Sequence, residues 1–267
     1  MEAHGSAVDL GHVAAGAGPT LVAVHGGLLS GRPTFGPALG EWAQRFRVLL
    51  PDRRGYERTP GHSGTVAEQA RDLERFIDRH AGGRAHVLGF SFGGIVALTA
   101  LQLERRLFAS LTVVEAPAVT LCGADPQALA LRAWLGRLHD GAAAGGGPEV
   151  LREFFAVMDP RALGRIDGLL ATGDPGVHVA ADELRVWRTP LSPVGLAGAG
   201  VPTLVVTGER SPQMMRTVGE HIATATAGRH RVLPGAGHAA HLAGPPFNTL
   251  LAEHIAAAEA AGTPTAR

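Results

Sequence analysis

Gly89-Phe90-Ser91-Phe92-Gly93 stands between two apolar runs, Ala85-His86-Val87-Leu88 before it and Gly94-Ile95-Val96-Ala97-Leu98 after it. The first run reads as a buried strand and the second as a helix, which places Ser91 on the turn between them. A turn that sharp strains the serine backbone and needs small residues two positions to either side; both are glycine here. The hydroxyl is then held out at the C-terminal edge of a sheet, beside a helix N-terminus whose amides can meet a developing oxyanion. Ser91 is the candidate nucleophile on these grounds. A serine needs a base, and the chain offers 13 histidines. His238 stands out, in Pro234-Gly235-Ala236-Gly237-His238, after the last strand pattern and before the C-terminal helix pattern. The glycines before it let a strand-end loop bend back toward Ser91. His241 reads instead as part of the turn or helix that follows.

Elements able to position these residues recur along the chain. Short apolar runs at 21–25, 48–50, 85–88, 111–114, 203–207 and 231–233 read as strands buried on both faces. Helical patterns lie between and after them at 35–46, 66–80, 94–107, 212–224 and 246–260. Repeated β-α units predict an α/β fold with an open, mostly parallel sheet and helices on both faces. Residues 6–14 could add an antiparallel hairpin at one edge. The rhythm breaks between 118 and 200, where helical patches at 126–139, 149–158 and 180–188 are joined by Gly/Pro/Ala-rich connections, 141–148 among them. A helical insertion that leaves from the strand end where the chemistry belongs reads as a lid, 118–200, on a core of 1–117 and 201–267. The alternative is a helical subdomain without contact to the site.

Composition removes several classes of function. Formal net charge is zero over 267 residues, which predicts neither a nucleic-acid nor an anionic-membrane surface. All 24 basic residues are arginine, so Schiff-base chemistry, pyridoxal phosphate anchoring and a Walker-type lysine are ruled out. Cys122 is the single cysteine, which leaves no intrachain disulfide and no cysteine metal site. Histidines are numerous, but no H-x-H-x-D-H or H-E-x-x-H cluster occurs, and a metalloenzyme is the weakest option. Residues 1–18 lack a basic segment followed by a long apolar one, and no stretch approaches the ~18 apolar residues of a membrane span. The expectation is a cytoplasmic protein acting on a small molecule without a cofactor.

Two more segments complete a resemblance. His25-Gly26-Gly27 follows the first core strand and Asp52-Arg53-Arg54-Gly55-Tyr56 the second. With the Gly-x-Ser-x-Gly turn and Gly-x-Gly-His, the chain resembles the α/β-hydrolase superfamily over nearly its whole length, and the nucleophile-then-histidine order is that family's. The resemblance implies an oxyanion hole formed by the amides of Phe92 and Gly27, each worth about 3–4 kcal/mol in a transition state. It also exposes a departure. The family's usual acid position, on the loop after the 203–207 strand, is occupied here by Ser211, which cannot hold an imidazolium by charge. Glu115, at the end of the strand after the nucleophile helix, is the candidate acid, as in certain haloalkane dehalogenases and a fungal zearalenone lactonase. Glu209, in the usual loop but two residues early, is the alternative; a structural reading would instead pair Glu115 with Arg53 or Arg188. Arg53 and Arg54 read as braces between loops.

A serine with a histidine base attacks acyl carbon, so an ester, lactone or thioester is the expected target, by way of an acyl-enzyme. Leu28, Phe90, Trp134, Phe154 and Trp187 are candidate pocket residues for a hydrophobic substrate, although lid aromatics at helical spacing also pack between helices. Carbon–carbon bond hydrolysis uses the same residues. A non-hydrolytic biosynthetic auxiliary or a hydrophobic-ligand-binding protein on the same fold is the alternative from another class.

Overall fold

Runs of Val, Leu and Ala that alternate with nothing polar must be covered on both faces, and the chain does this with helices. The computed structural model describes residues 7–172 and 175–262; Ser6, the first residue of the expected hairpin, lies outside them, as does residue 267 at the end of the expected core. Strand β1 (His12–Ala15) is followed by β2 (Thr20–Val24), α1 (Gly31–Trp42), β3 (Arg47–Pro51) and α2 (Val66–His80). Then come β4 (Ala85–Phe90), α3 (Phe92–Leu103) and β5 (Phe108–Val114). The sheet resumes at β6 (Thr203–Gly208), followed by α9 (Gln213–Ala225), β7 (Arg229–Leu233) and α10 (Pro245–Gly262). Between β5 and β6 run α4 (Pro126–Ala143), α5 (Gly147–Met158), α6 (Leu163–Ala171), α7 (Pro175–Glu183) and α8 (Pro193–Ala197).

Among the described residues the sheet has seven strands in the order β1-β3-β2-β4-β5-β6-β7, with β1 antiparallel to β3 and every other pair parallel. The edge that the sequence suggests as a hairpin is the single strand β1, whose Val13 pairs with Leu50. All the parallel strands end on one edge, where the loops carrying Ser91, Glu115 and His238 meet.

Two apolar layers hold the helices to the sheet. On one face α2 and α3 contribute Leu73, Phe76, Ile95 and Leu98, all 1% exposed or less; on the other, α1 and α10 contribute Phe35, Trp42, Phe247 and Leu251. Each such side chain contributes about 1.5–3 kcal/mol on burial. Helix α3 is apolar all round, with residues 92–101 buried, because it is wedged between the sheet and α2. Helix α2 begins where the sequence places it: Thr65 and Glu68 form a reciprocal capping box that satisfies two orphan amides. Helix α1 starts four residues before the expected 35 because Asp52 Oδ1 accepts the Gly31 amide at 2.9 Å, a contact no local pattern reveals.

The expected joint at 141–148 is shorter than its composition suggests. Helix α4 runs through Gly141 to Ala143 and α5 starts at Gly147, so the turn is three residues long, with Gly145 at φ 98°. The patch expected at 180–188 is the end of α7 plus a 3-10 turn, Leu184–Arg188. The insertion does not stand apart from the site: Leu135, Leu151, Phe154, Phe155, Ala180 and Glu183 share a cavity with Ser91 and His238.

Candidate active site

Ser91 occupies the strand-to-helix turn between β4 and α3 with φ 51° and ψ −119°, a region a residue with a side chain enters only under constraint. The constraint is a close approach on both sides. A Cβ on Gly93 would lie 2.3 Å from the Val24 carbonyl oxygen, and one on Gly89 would lie 2.7 Å from Gly94 Cα. Ser91 N donates to the Val114 carbonyl at 2.8 Å, and the Ser91 carbonyl accepts from Gly94 N at 2.9 Å. The hydroxyl is thereby fixed at the end of β4.

His238 reaches it from the loop after β7. Its Nε2 lies 3.2 Å from Ser91 Oγ, and its Nδ1 lies 3.3 Å from Glu115 Oε2. The imidazole is 4% exposed and packs against Phe90 and Phe154, at ring separations of 5.2 and 6.0 Å. Glu115 follows β5 directly, with φ 51°, so that its carboxylate turns back over the sheet edge. Its second oxygen is held from β6: Gly208 N and Ser211 Oγ each donate to Oε1 at 2.6 Å. The serine at the family's usual acid position thus orients an acid on the neighbouring strand. Glu209 points elsewhere, accepting the Gly235 amide at 2.8 Å from an exposed position, and does not reach His238. Glu115 pairs with neither Arg53 nor Arg188; Arg53 meets Glu183 instead.

The amides that could face an oxyanion come from two elements. Phe92 is the first residue of α3, where a backbone N–H has no partner within the helix. Gly27 lies on the loop after β2, and a Cβ on its neighbour Gly26 would come within 3.0 Å of Ser91 Cβ. The next amide, Leu28 N, is already bonded to the Tyr56 hydroxyl at 3.2 Å, and Leu28 sits at φ 77°. Gly27 and Phe92 line the same cavity as Ser91.

That cavity encloses about 80 Å³, and apolar side chains dominate its walls. Leu28, Phe90 and Phe154 line it as the sequence suggests; Trp134 and Trp187 do not. Trp134 stacks behind Phe154 at 5.6 Å and donates Nε1 to Glu153 at 3.1 Å. Trp187 lies between the guanidinium groups of Arg132 and Arg188 against α4. Both are helix-packing residues. Leu135, Leu151, Leu184 and Val186 also line the cavity, and nothing in the sequence marks them, because apolar residues at helical spacing look alike whether they face a helix or a cavity.

His241 is buried against Phe90 and Phe35, at ring separations of 4.2 and 5.2 Å, and burial pushes its pKa down to about 3. It is a neutral packing residue. Burial likewise raises the Cys122 thiol to about 12, so it is unreactive near neutrality. No helix among the described residues is long and apolar enough to cross a membrane, and no group of three or more His, Cys, Asp or Glu there could hold a metal ion.

The model of the alpha/beta hydrolase family matches residues 21–248, from β2 into α10. RutD of Azorhizobium caulinodans, provisionally assigned as a carbamate hydrolase, is 32% identical over 114 residues, which are 42% of this chain and 43% of that relative. An alpha/beta hydrolase from Sphaerobacter thermophilus superposes with a TM-score of 0.67 at 24% identity, covering 92% of this chain and 96% of that one. A thermophilic esterase from Thermogutta terrifontis gives 0.66 at 24% identity, over 94% and 92%. At such identities the structural likeness speaks for the fold.

Proposed function

The chain belongs to the alpha/beta hydrolase family, and from that premise we propose that it is a serine hydrolase acting on an ester, lactone, thioester or carbamate of a small, largely apolar molecule. The observation that carries this reading is the line of contacts Ser91–His238–Glu115, 3.2 and 3.3 Å long, beginning at a strained serine. Ser91 Oγ attacks the acyl carbon while His238 Nε2 takes its proton. Glu115 keeps the other imidazole proton on Nδ1 and stabilises the imidazolium that forms. The carbonyl oxygen gains charge against the amides of Phe92 and Gly27. His238 then gives its proton to the departing oxygen, sulfur or nitrogen, which leaves an acyl-enzyme. A water deprotonated by the same imidazole releases the acid and restores Ser91.

The leucine- and phenylalanine-rich cavity favours an apolar acyl group. Carbamates join the list through RutD, of which less than half is aligned. Residues 118–200 act as the lid in this reading, since three of the helices between β5 and β6 (α4, α5 and α7) line the cavity beside Ser91.

The test is the intact-protein mass after incubation with a fluorophosphonate, beside Ser91→Ala. A single adduct on the wild type that the variant lacks is the expected result, followed by turnover within a panel of esters, lactones and carbamates. Folded protein that takes up no adduct would overturn the reading and move a non-hydrolytic or ligand-binding role forward.

A further inference from the structure

Arg53 is 2% exposed, and all its donors are spent on the loop that carries Gly27 or on what surrounds it. Nε donates to the His25 carbonyl at 2.9 Å and NH2 to the Gly26 carbonyl at 2.7 Å; NH1 meets Gln69 Oε1 at 2.7 Å. The same guanidinium forks onto both oxygens of Glu183, from the end of α7, with NH1 on Oε1 and NH2 3.0 Å from Oε2. Tyr56 joins this carboxylate to the next peptide: its hydroxyl donates to Glu183 Oε2 at 3.0 Å and accepts Leu28 N at 3.2 Å. Burial and the adjacent carboxylate raise the Tyr56 pKa well above its ordinary value, so the hydroxyl keeps its proton.

The Gly26 carbonyl belongs to the same peptide unit as Gly27 N–H. In a trans peptide the two point in opposite directions, so a cation that holds the oxygen on one side aims the N–H to the other. His25 Nδ1 lies 2.8 Å from the same oxygen, and hydrogen bonds in such a chain polarise one another. The unit after Gly27 is fixed by Tyr56. Both peptides flanking Gly27 are therefore clamped by bonds that converge on Glu183, a residue of the insertion that also lines the cavity.

We propose that Glu183 is a positioning residue that couples closure of the insertion over the cavity to the aim of the Gly27 amide, so that the oxyanion site is competent only when α7 is seated. This rests on the reading of Gly27 as an oxyanion donor. With α7 withdrawn, Arg53 would be a buried cation without its carboxylate, and such a group draws in water or moves. An amide displaced by about 1 Å costs on the order of a hundredfold in rate.

The experiment uses 4-nitrophenyl butyrate and its thionoester, whose sulfur anion is larger and a poorer hydrogen-bond acceptor. A wild type with aligned amides prefers the oxygen ester. Glu183→Gln keeps the shape and removes the charge; it should lower kcat by about ten- to a hundredfold, leave KM within about twofold, and shrink the oxygen-to-sulfur preference. Tyr56→Phe frees Leu28 N and takes one donor from Glu183 Oε2 while leaving both carboxylate oxygens their bonds from Arg53; it should shift the same ratio in the same direction and serves alone if Glu183→Gln does not fold. Unchanged ratios in folded variants would sink the coupling while leaving the serine-hydrolase reading intact. A wild type that neither labels with fluorophosphonate nor turns over esters would remove that reading, and the coupling with it.

Discussion

At the scale of single residues, the proposed acid of the site is defined by what holds it as much as by what it faces. Glu115 Oε1 accepts from Gly208 N and Ser211 Oγ, which leaves Oε2 for His238. Glu115→Gln should preserve these bonds by placing its carbonyl oxygen at the Oε1 position. Its NH2 then faces His238 Nδ1 and forces the imidazole into the tautomer that cannot take a proton from Ser91. We expect a loss of about 10³–10⁴-fold in kcat for any ester the wild type turns over, at an unchanged melting temperature. An activity within tenfold of wild type would show that Glu115 does not orient the base. The meeting of Ser91, His238 and Glu115 can be read from the sequence because each follows a strand and has a glycine or proline within two residues, where local pattern and position coincide. The Arg53–Glu183 pair was not, because its members are 130 positions apart and only the packing of α7 brings them together.

At the scale of elements, a glycine in the tight β2–β4–α3 junction and one on the open face of α1 should answer oppositely to the same change. Gly93→Ala would drive a Cβ to within 2.3 and 2.4 Å of the Val24 and His25 carbonyl oxygens, both backbone atoms that cannot move independently. It should destabilise by several kcal/mol (overpacking alone costs about 1–3) or abolish folding. Gly40, exposed in the last turn of α1, has nothing within 4 Å of its would-be Cβ. Gly40→Ala should stabilise by about 0.5–1 kcal/mol through helix propensity. Thermal melts of both variants decide the matter, and equal effects would mean that the junction is looser than drawn. The same contrast explains which elements the sequence disclosed. Strands with unbroken apolar runs and the capped helix α2 came out within a few residues. Helices α6 and α8, short and glycine-containing, carry no periodicity long enough to see, and they form because their neighbours give them a surface to pack on, α5 for α6 and the core helices α3 and α9 for α8.

At the scale of the whole molecule, the buried histidines set how stability responds to acid. Burial lowers His241 to about 3 and His254 to about 4, both below the ordinary 6.5. The unfolded chain then binds protons that the folded one refuses, so stability is full above about pH 6.5 and is lost as pH falls toward 4 and 3. Glu74 works the other way: burial and the nearby Glu104 raise it to about 7, so its contribution is present below about 4.5 and fades as pH rises toward 7. His12, His25, His86 and His230 are lowered by burial as well, and with these six histidines against one half-buried carboxyl the net slope between pH 4.5 and 6.5 should be positive. His241→Phe keeps an aromatic ring between Phe35 and Phe90 and should flatten the acid side by up to a few kcal/mol. Melting temperatures from about pH 4 to 8 test this; an identical acid slope in the variant would show that His241 does not govern it.

The bond from Ser211 to Glu115 carries a consequence for how such a site changes over generations. The ends of two adjacent strands, β5 and β6, converge beside a single imidazole nitrogen: the first brings Glu115, and the loop after the second brings the Ser211 hydroxyl that holds it. A lineage can therefore transfer its acid from one strand to the next by passing through a form that carries both. On such a route the histidine would keep a partner throughout, and a serine at 211 would hold the carboxylate on the other strand as Ser211 holds Glu115 here.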